Sequence, residues 1–391
     1  MIPHPDVLFE RVRRSRRIEK QLDGDNFSTR STALPCGVAR SKKTEPSCTM
    51  YSMQGILRII AASTILIPSL CLSAFELTFS DVPRTHPAFA EIEDLATRGY
   101  IQGNPDGTFD PEDLLSRAAA LKLIVGPVST LEDLRKYSKS SYEDVSNLEW
   151  YFPFVEHAGA ALSIIDRPPK ALRFFPDRTV TKAEFLKMLL RAHGVPLALF
   201  ESIRAPFATD IENAQEWYVP YARVAVASSM VPMNDEGTFG ADHPLTRADA
   251  AQILSWFLRY QNGGRTQVLL DQTEDALLSS MQQLGDLDLK DAAAFALRAR
   301  LTAYGAAKSA PFDSLVLGYV KLSEGFWLLM LSWQQVMTEQ WEAAEKNLAI
   351  AATRADQAEL IAPELKGLST ALNELIEKIT LEVEEGKEKK E

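Results

Sequence analysis

A short acidic opening recurs three times through the middle of the chain, and this restricts the fold to similar units packed on one another. The openings are Phe79-Ser80-Asp81-Val82, Tyr142-Glu143-Asp144-Val145, and a run from Phe207 that contains Thr209-Asp210-Ile211. Their aspartates fall about every 60–65 residues, a length that suits a helical hairpin plus a loop. Each Asp is placed to cap the helix that follows. That helix carries apolar residues at helical spacing, as in Phe89, Ile92, Leu95 and Ala96. A turn comes next, marked by Asp106-Gly107 in the first unit and Glu236-Gly237 in the third. Phe109, Phe174 and Phe239 then stand at equal distance from a second helix start and are expected to plug the hairpin. Ser116, Thr181 and Thr246 read as N-caps of that helix, with Glu184 and Asp249 at the third helical position in units two and three. Each second helix has one apolar face: Leu121, Ile124 and Val125; Phe185, Met188 and Leu189; Ile253, Leu254 and Phe257.

Composition removes several classes of function. At 391 residues the chain holds two or three domains. A net charge of -11 argues against a nucleic-acid partner, because phosphate backbones are held by basic patches. The five histidines, His4, His86, His157, His193 and His243, form no HExxH or His-x-His pair, and no Gly-rich phosphate loop or GxSxG elbow occurs. Glu91 and Glu93 read as a solvated helix face rather than a glycosidase pair. The NPDGTFDPED loop reads as a turn rather than a calcium loop: with Gly107 as the central glycine, Gln102 falls first and Asp113 last. The expectation is a protein that is not an enzyme and uses no cofactor or metal.

The N-terminus reads as an export signal. Arg58 precedes an apolar run from Ile59 to Leu72, and Leu72-Ser73-Ala74 offers small residues for cleavage. Residues 50–74 are therefore assigned as a signal peptide, and the polar, Arg-rich residues 1–49 as an extension from a misplaced start. Membrane contact is expected only if the apolar run stays uncleaved; Pro68 interrupts it. Cys36, Cys48 and Cys71 all precede the first unit, so a processed chain has neither a disulfide framework nor a thiolate metal site.

The FxDV opening, the DGTF turn and the [ST]-[RK]-A-[ED] helix start resemble the S-layer homology family over about residues 78–260. The resemblance implies three repeats, residues 75–135, 136–200 and 201–262, in an all-α pseudo-threefold module with a central bundle of first helices. It implies ligand grooves between neighbours and non-covalent attachment to a negatively charged, often pyruvylated, wall polysaccharide, or tethering to peptidoglycan. The family's basic residue maps to Arg117, Lys182 and Arg247. A guanidinium fork at a helix start suits a ketal-linked carboxylate, and backbone N–H groups there favour an anion. Lys182 keeps the charge and loses the fork, which ranks Arg117 and Arg247 first. The groove glycine maps to Gly103 alone, with Arg167 and Met233 in the other units. Asp81, Asp144 and Asp210 are candidate ligand contacts, although capping is the simpler role. Trp150 and Trp217 precede apolar helices and could stack on a sugar ring or pack in the core.

Beyond Asn262-Gly263-Gly264, a credible hinge, residues 263–385 turn to Ala, Leu, Glu and Gln. Helices are expected over about 266–284, 288–308, 312–338, 341–361 and 364–384, as a bundle or a tetratricopeptide-like domain with an open place for a protein partner. One such hairpin is visible, with no second copy at a fixed period. The dense apolar stretch Phe326, Trp327, Leu328, Leu329, Met330, Leu331 and Trp333 reads as a buried central helix rather than a partner groove. Residues 386–391 read as a charged tail that frays into solvent.

Overall fold

The computed structural model describes residues 77–389 apart from Ala205 and Asp235; the N-terminal extension, the signal segment and the cysteines lie outside the described residues. The fold is all-α. In the three units the helices are α1 (Phe89–Thr97), α2 (Arg117–Val125), a short α3 (Leu131–Leu134), α4 (Phe152–Ala160), α5 (Lys182–Ala192), α6 (Val219–Ala227) and α7 (Arg247–Gln261).

The second helices start where their caps require. Thr181 accepts from the Glu184 N–H while the Glu184 carboxylate accepts from the Thr181 N–H, and Thr246 with Asp249 repeats the box. Ser116 caps α2 without a return bond, since Ala119 has no acid to offer. The leading aspartates, by contrast, do not cap the first helices, whose N-caps are Ala88, Tyr151 and Tyr218 with no side-chain bond. Each carboxylate instead reaches across its unit to the loop before the second helix. Asp81 accepts from the Phe109 and Asp110 N–H groups at 2.8 and 2.6 Å, Asp144 from Phe174 and Phe175 at 2.8 and 2.7 Å, and Asp210 from Phe239 and Gly240 at 2.7 Å each. The residue after each Phe has positive φ, +53° at Asp110, +59° at Phe175 and +67° at Gly240, and turning the chain this way aims two successive N–H groups at one carboxylate. Phe109, Phe174 and Phe239 are buried, as expected of plugs.

The units close into a ring. The Leu115 N–H donates to the Leu245 carbonyl at 2.8 Å, Leu245 to Val180 at 3.0 Å, and Val180 to Leu115 at 3.1 Å. The first helix of each unit packs on the second helix of the preceding one: α4 on α2, α6 on α5, and α1 on α7. The second helices meet at the centre, α2 against α5 and α7, so the expected bundle of first helices is corrected: they form the outer layer. Second helices carry the long apolar faces, and burying those faces against one another removes the most apolar area from water. The α1/α7 contact also corrects the reading of Glu91. It is buried and accepts from Trp256 Nε1 at 3.0 Å, with Arg259 at 3.6 Å.

Five more helices follow: α8 (Thr266–Gly285), α9 (Leu289–Ser309), α10 (Ser314–Met337), α11 (Trp341–Ile361) and α12 (Lys366–Glu388). They pack consecutively, α8 on α9, α9 on α10, α10 on α11 and α11 on α12. A second copy of the hairpin is present after all. Ala292, Ala296, Ala299, Ala303 and Ala306 of α9 are buried, and about 52 residues later so are Ala344, Leu348, Ala351, Ala355 and Ala358 of α11. Leu270, Leu277, Leu278 and Ser280 of α8 correspond in the same way to Leu322, Leu329, Met330 and Ser332 of α10, all buried. The small residues let the helices approach closely. Gly325 of α10 faces Leu372 and the Ala351 carbonyl, leaving no room for a Cβ.

Among the described residues α10 is long and apolar enough to cross a membrane, yet more than half of its most apolar window is buried in this packing. Of the dense apolar stretch, Phe326, Leu329 and Met330 are buried while Trp327, Leu328, Leu331 and Trp333 are half-buried, so the helix is central on one face and partly open on the other. The charged end does not fray at residue 386: α12 runs to Glu388, Gly386 lies against the Trp341 ring, and Lys387 ion-pairs with Glu345.

The Gly263 region turns the chain at φ +75° and does not leave the helices loose. Helix α9 seats on α6, where a Cβ on Gly305 would lie 1.6 Å from the Ala227 carbonyl oxygen. Leu297 and Leu301 join the core of the three units. Arg265, buried, donates to Ser229 Oγ at 2.8 Å and lies 4.4 Å over the Trp256 ring.

Two outcomes follow. Gly305→Val should cost about 3 kcal/mol in chemical unfolding, through overpacking against a backbone carbonyl, whereas Gly126→Ala, with nothing within 4 Å of the added carbon, should be close to neutral. His193 packs edge-on against Phe257 at 4.8 Å with Nε2 buried and unpartnered, and burial lowers its pKa from 6.5 to about 4. The folded state therefore binds its proton later than the unfolded chain does. The stability this imidazole contributes is complete above about pH 6.5 and falls as pH drops toward about 4. Unfolding free energies measured across that window should slope less in His193→Gln than in the parent.

Candidate functional site

The ring places three grooves between units, each built by the first residue of one second helix and the Phe loop of the next unit. In groove A, between units one and two, the Arg117 guanidinium lies 5.2 Å over the Phe174 ring. In groove B, between units two and three, Lys182 Nζ lies 5.5 Å over Phe239 and donates to the Phe239 carbonyl at 2.6 Å. In groove C the ring closes: Arg247 of unit three lies 4.8 Å over Phe109 of unit one and donates from Nε to its carbonyl at 2.7 Å. Each leading Asp fixes the loop that presents this Phe, so Asp81, Asp144 and Asp210 hold the groove floor through the backbone rather than standing open in it.

The helix starts are not free anion sites, which corrects the expectation from their N–H groups. Arg117 N donates to the Arg178 carbonyl and Ala118 N to Pro176, Lys182 N to His243 and Ala183 N to Ala241, Arg247 N to Asp113 and Ala248 N to Pro111. The third N–H goes to the Ser or Thr cap. The positive charge of the grooves is carried by side chains. Among the described residues no carboxylate lies within ion-pair distance of Arg117, Lys182 or Arg247. Burial lowers the pKa of Arg117, with help from nearby Arg178, and burial lowers that of Lys182 against the pull of Asp249 and Asp210. A partly buried cation without a bonded counter-ion leaves charge that an incoming anion can satisfy.

The grooves are unequal. In A, exposed Trp150 has Lys122 Nζ 5.4 Å over its ring; in B, exposed Trp217 has Lys187 Nζ 5.3 Å over its ring. Each Trp also meets the following Tyr edge-on, Tyr151 and Tyr218. The same positions in C are Pro87 and Gln252, and Asp113 stands where A has Arg178 and B has His243. Groove C thus lacks the Trp–Lys pair at these positions, although Lys122 lies close enough to Arg247 that, after burial, this charge helps lower the Lys122 pKa. The geometry groups Lys182 with Arg117, although residue type alone places Arg247 above Lys182. Lys122 and Lys187 escaped the sequence reading; the signal was their constant offset, five positions after Arg117 and Lys182.

Gly103 has φ +65°, and a Cβ there would sit 2.4 Å from the Phe79 ring, so its smallness serves close packing in unit one. At the matching position Arg167 stays exposed, donating to Ser141 Oγ at 2.7 Å and lying 3.7 Å from buried Glu156. The 104–110 loop is a turn held by its own side chains: Asp106 accepts from the Thr108 N–H and hydroxyl, which lowers its pKa.

Residues 78–121 and 209–251, within the first and third units, match the S-layer homology domain family. The chain is 26% identical over 182 residues to S-layer protein EA1 of Bacillus anthracis, covering 46% of this chain and 20% of that protein. It is 28% identical over 182 residues to an S-layer protein of Bacillus licheniformis, 46% and 19% of the two chains. It is also 26% identical over 187 residues to Exoglucanase XynX of Acetivibrio thermocellus, 48% and 17%. The chain thus spans about a fifth of the length of the S-layer proteins it matches. These similarities support cell-surface or cell-wall anchoring in general terms.

Asp144→Ala removes a carboxylate that holds two backbone N–H groups in place. It should destabilise the module by about 1–3 kcal/mol in denaturant titration, as loss of charge-assisted bonds to one part-buried and one exposed donor does.

Proposed function

We propose that the chain anchors itself non-covalently to the bacterial cell wall by holding an anionic wall polysaccharide in grooves A and B, with residues 75–135, 136–200 and 201–262 as three S-layer homology repeats. The observation that carries this reading is the pair of partly buried cations, Arg117 and Lys182, each over a Phe ring, each without a bonded carboxylate, and each with an exposed Trp–Lys pair in its groove. An anionic sugar offers what this set lacks: a carboxylate such as a ketal-linked pyruvate for the cations, and a C–H face for the indole. Groove C keeps Arg247 over Phe109 and has Pro87 and Gln252 in place of the Trp–Lys pair, so it is the weakest of the three. Residues 50–74 act as the export signal in this reading, and residues 263–385 as a helical interaction domain. The chain acts by binding rather than by catalysis.

The test is sedimentation of the purified chain with cell-wall sacculi of the producing organism, before and after chemical removal of the secondary polysaccharide. The parent should co-sediment only with intact sacculi, and Arg117→Ala/Lys182→Ala should bind at least about tenfold more weakly, a change of ~1.4 kcal/mol. Binding that survives polysaccharide removal would reassign the ligand to peptidoglycan. Absence of binding in every condition would leave protein assembly in the envelope as the function.

A further inference from the structure

Groove B differs from A and C in what stands behind its Phe loop. The turn that ends in Phe239 passes through Gly237, at φ +76°, and the point where a Cβ would sit is 2.9 Å from Phe295 Cζ and 3.1 Å from Arg298 Nη2, both on α9. Phe295 is buried, and Arg298, also buried, lays its guanidinium 4.2 Å over the Phe295 ring. Burial lowers the Arg298 pKa to about 10, with Asp275 opposing. At the matching turn of unit one, a Cβ on Gly107 would meet nothing within 4 Å, and Leu172 in unit two is exposed. Only the third turn, among the described residues, rests on the helical domain.

That turn is otherwise held from one side. The Thr209 N–H donates to the Gly237 carbonyl at 3.1 Å, the Thr209 hydroxyl to the Glu236 carbonyl at 3.0 Å, and Asp210 holds the Phe239 and Gly240 N–H groups. Phe239 in turn supports the working cation: Lys182 sits over its ring and donates to its carbonyl, and Tyr218 stacks on it with rings 6.2 Å apart and 1° from parallel. A lysine ammonium on a flexible stem depends on its surroundings for direction more than a guanidinium fork does. A displaced Phe239 carbonyl would move the ammonium with it.

We propose that Phe295 and Arg298 are positioning residues for groove B: α9 braces the turn from Gly237 to Gly240, so that anion affinity in that groove, and not in groove A, depends on the helical domain. This rests on the anchoring reading for its binding consequence and on packing alone for the brace. By reciprocity, any event that shifts α9 changes wall affinity through groove B, and glycan bound in groove B steadies α9.

The experiment uses the full chain in two backgrounds, Arg117→Ala, which leaves groove B, and Lys182→Ala, which leaves groove A, each combined with Phe295→Ala, Phe295→Leu or Arg298→Met. Hydrogen exchange is read at the Phe239 and Gly240 amides against the Phe109, Asp110, Phe174 and Phe175 amides. Binding is read with polysaccharide-bearing sacculi. Phe295→Ala should speed exchange at the third turn alone and weaken sacculus binding roughly tenfold in the Arg117→Ala background, as loss of a supporting outer layer does, with no change in the Lys182→Ala background and recovery in Phe295→Leu. Unchanged exchange at Phe239 and Gly240, or equal loss of binding in both backgrounds, would overturn the proposal. If neither background binds sacculi while the parent also fails, the anchoring reading falls and exchange alone decides the brace. Should Phe295→Ala unfold, Arg298→Met, which keeps the aliphatic stem, carries the same comparison.

Discussion

The three-way exchange of backbone hydrogen bonds among Leu115, Val180 and Leu245 is the constraint on which the rest of the module depends. Each of these buried peptides lies in the two residues before a second helix, where no regular ladder is available to satisfy it. An unpaired buried N–H is costly, and a single unit has no partner to offer. Three copies arranged in a ring satisfy one another in sequence. The following N–H groups of each second helix are satisfied the same way, by carbonyls of the next unit. Folding of one unit is therefore tied to the presence of its neighbours, and the threefold arrangement is a hydrogen-bonding necessity as well as a packing outcome.

The grooves are a consequence of that closure. Once the start of a second helix is locked to the loop of the next unit, its basic residue is forced over that unit's Phe, and the Asp carboxylate behind the loop keeps the ring in place. The cation is partly removed from water and lies over an aromatic face, with one carbonyl accepting from it in grooves B and C, while the nearby charged groups act on it without a direct ion pair. An aromatic quadrupole and a neutral carbonyl compensate a charge less fully than a carboxylate does. The arrangement leaves the cation short of a directly bonded counter-ion, which is what the proposed anionic ligand would supply. The Trp–Lys pairs in A and B extend the same logic to the groove rim.

Small residues decide how the helical domain attaches. Gly305 on α9 and Ala227 at the end of α6 let two backbones touch, and this close approach brings Phe295 and Arg298 up to the third turn. The same smallness recurs inside the helical domain, where Ala at matching positions of α9 and α11 sets the spacing between hairpins. In an Ala-rich helix such a pattern coincides with high helix propensity, which is why it does not stand out as a repeat until burial separates the Ala residues that pack from those that do not.

By itself the sequence determined the elements. Cap chemistry located α2, α5 and α7, apolar periodicity located the five C-terminal helices to within a few residues, and three matched Phe positions marked the plugs. These are local properties: a Thr–Glu box or an apolar stripe acts through residues a few positions away. The tertiary structure alone decided which carboxylate holds which loop, which helices form the centre, which groove each cation enters, and that α9 rests on one turn of three. Asp81 and Phe109 meet across the loop of one unit, and Arg117 with Phe174 and Arg247 with Phe109 meet between units, where ring closure sets the pairing; no short-range pattern encodes either kind of contact. Gly237 reads as an ordinary turn glycine in sequence. Its second role, leaving room for Phe295, exists only because another domain packs there.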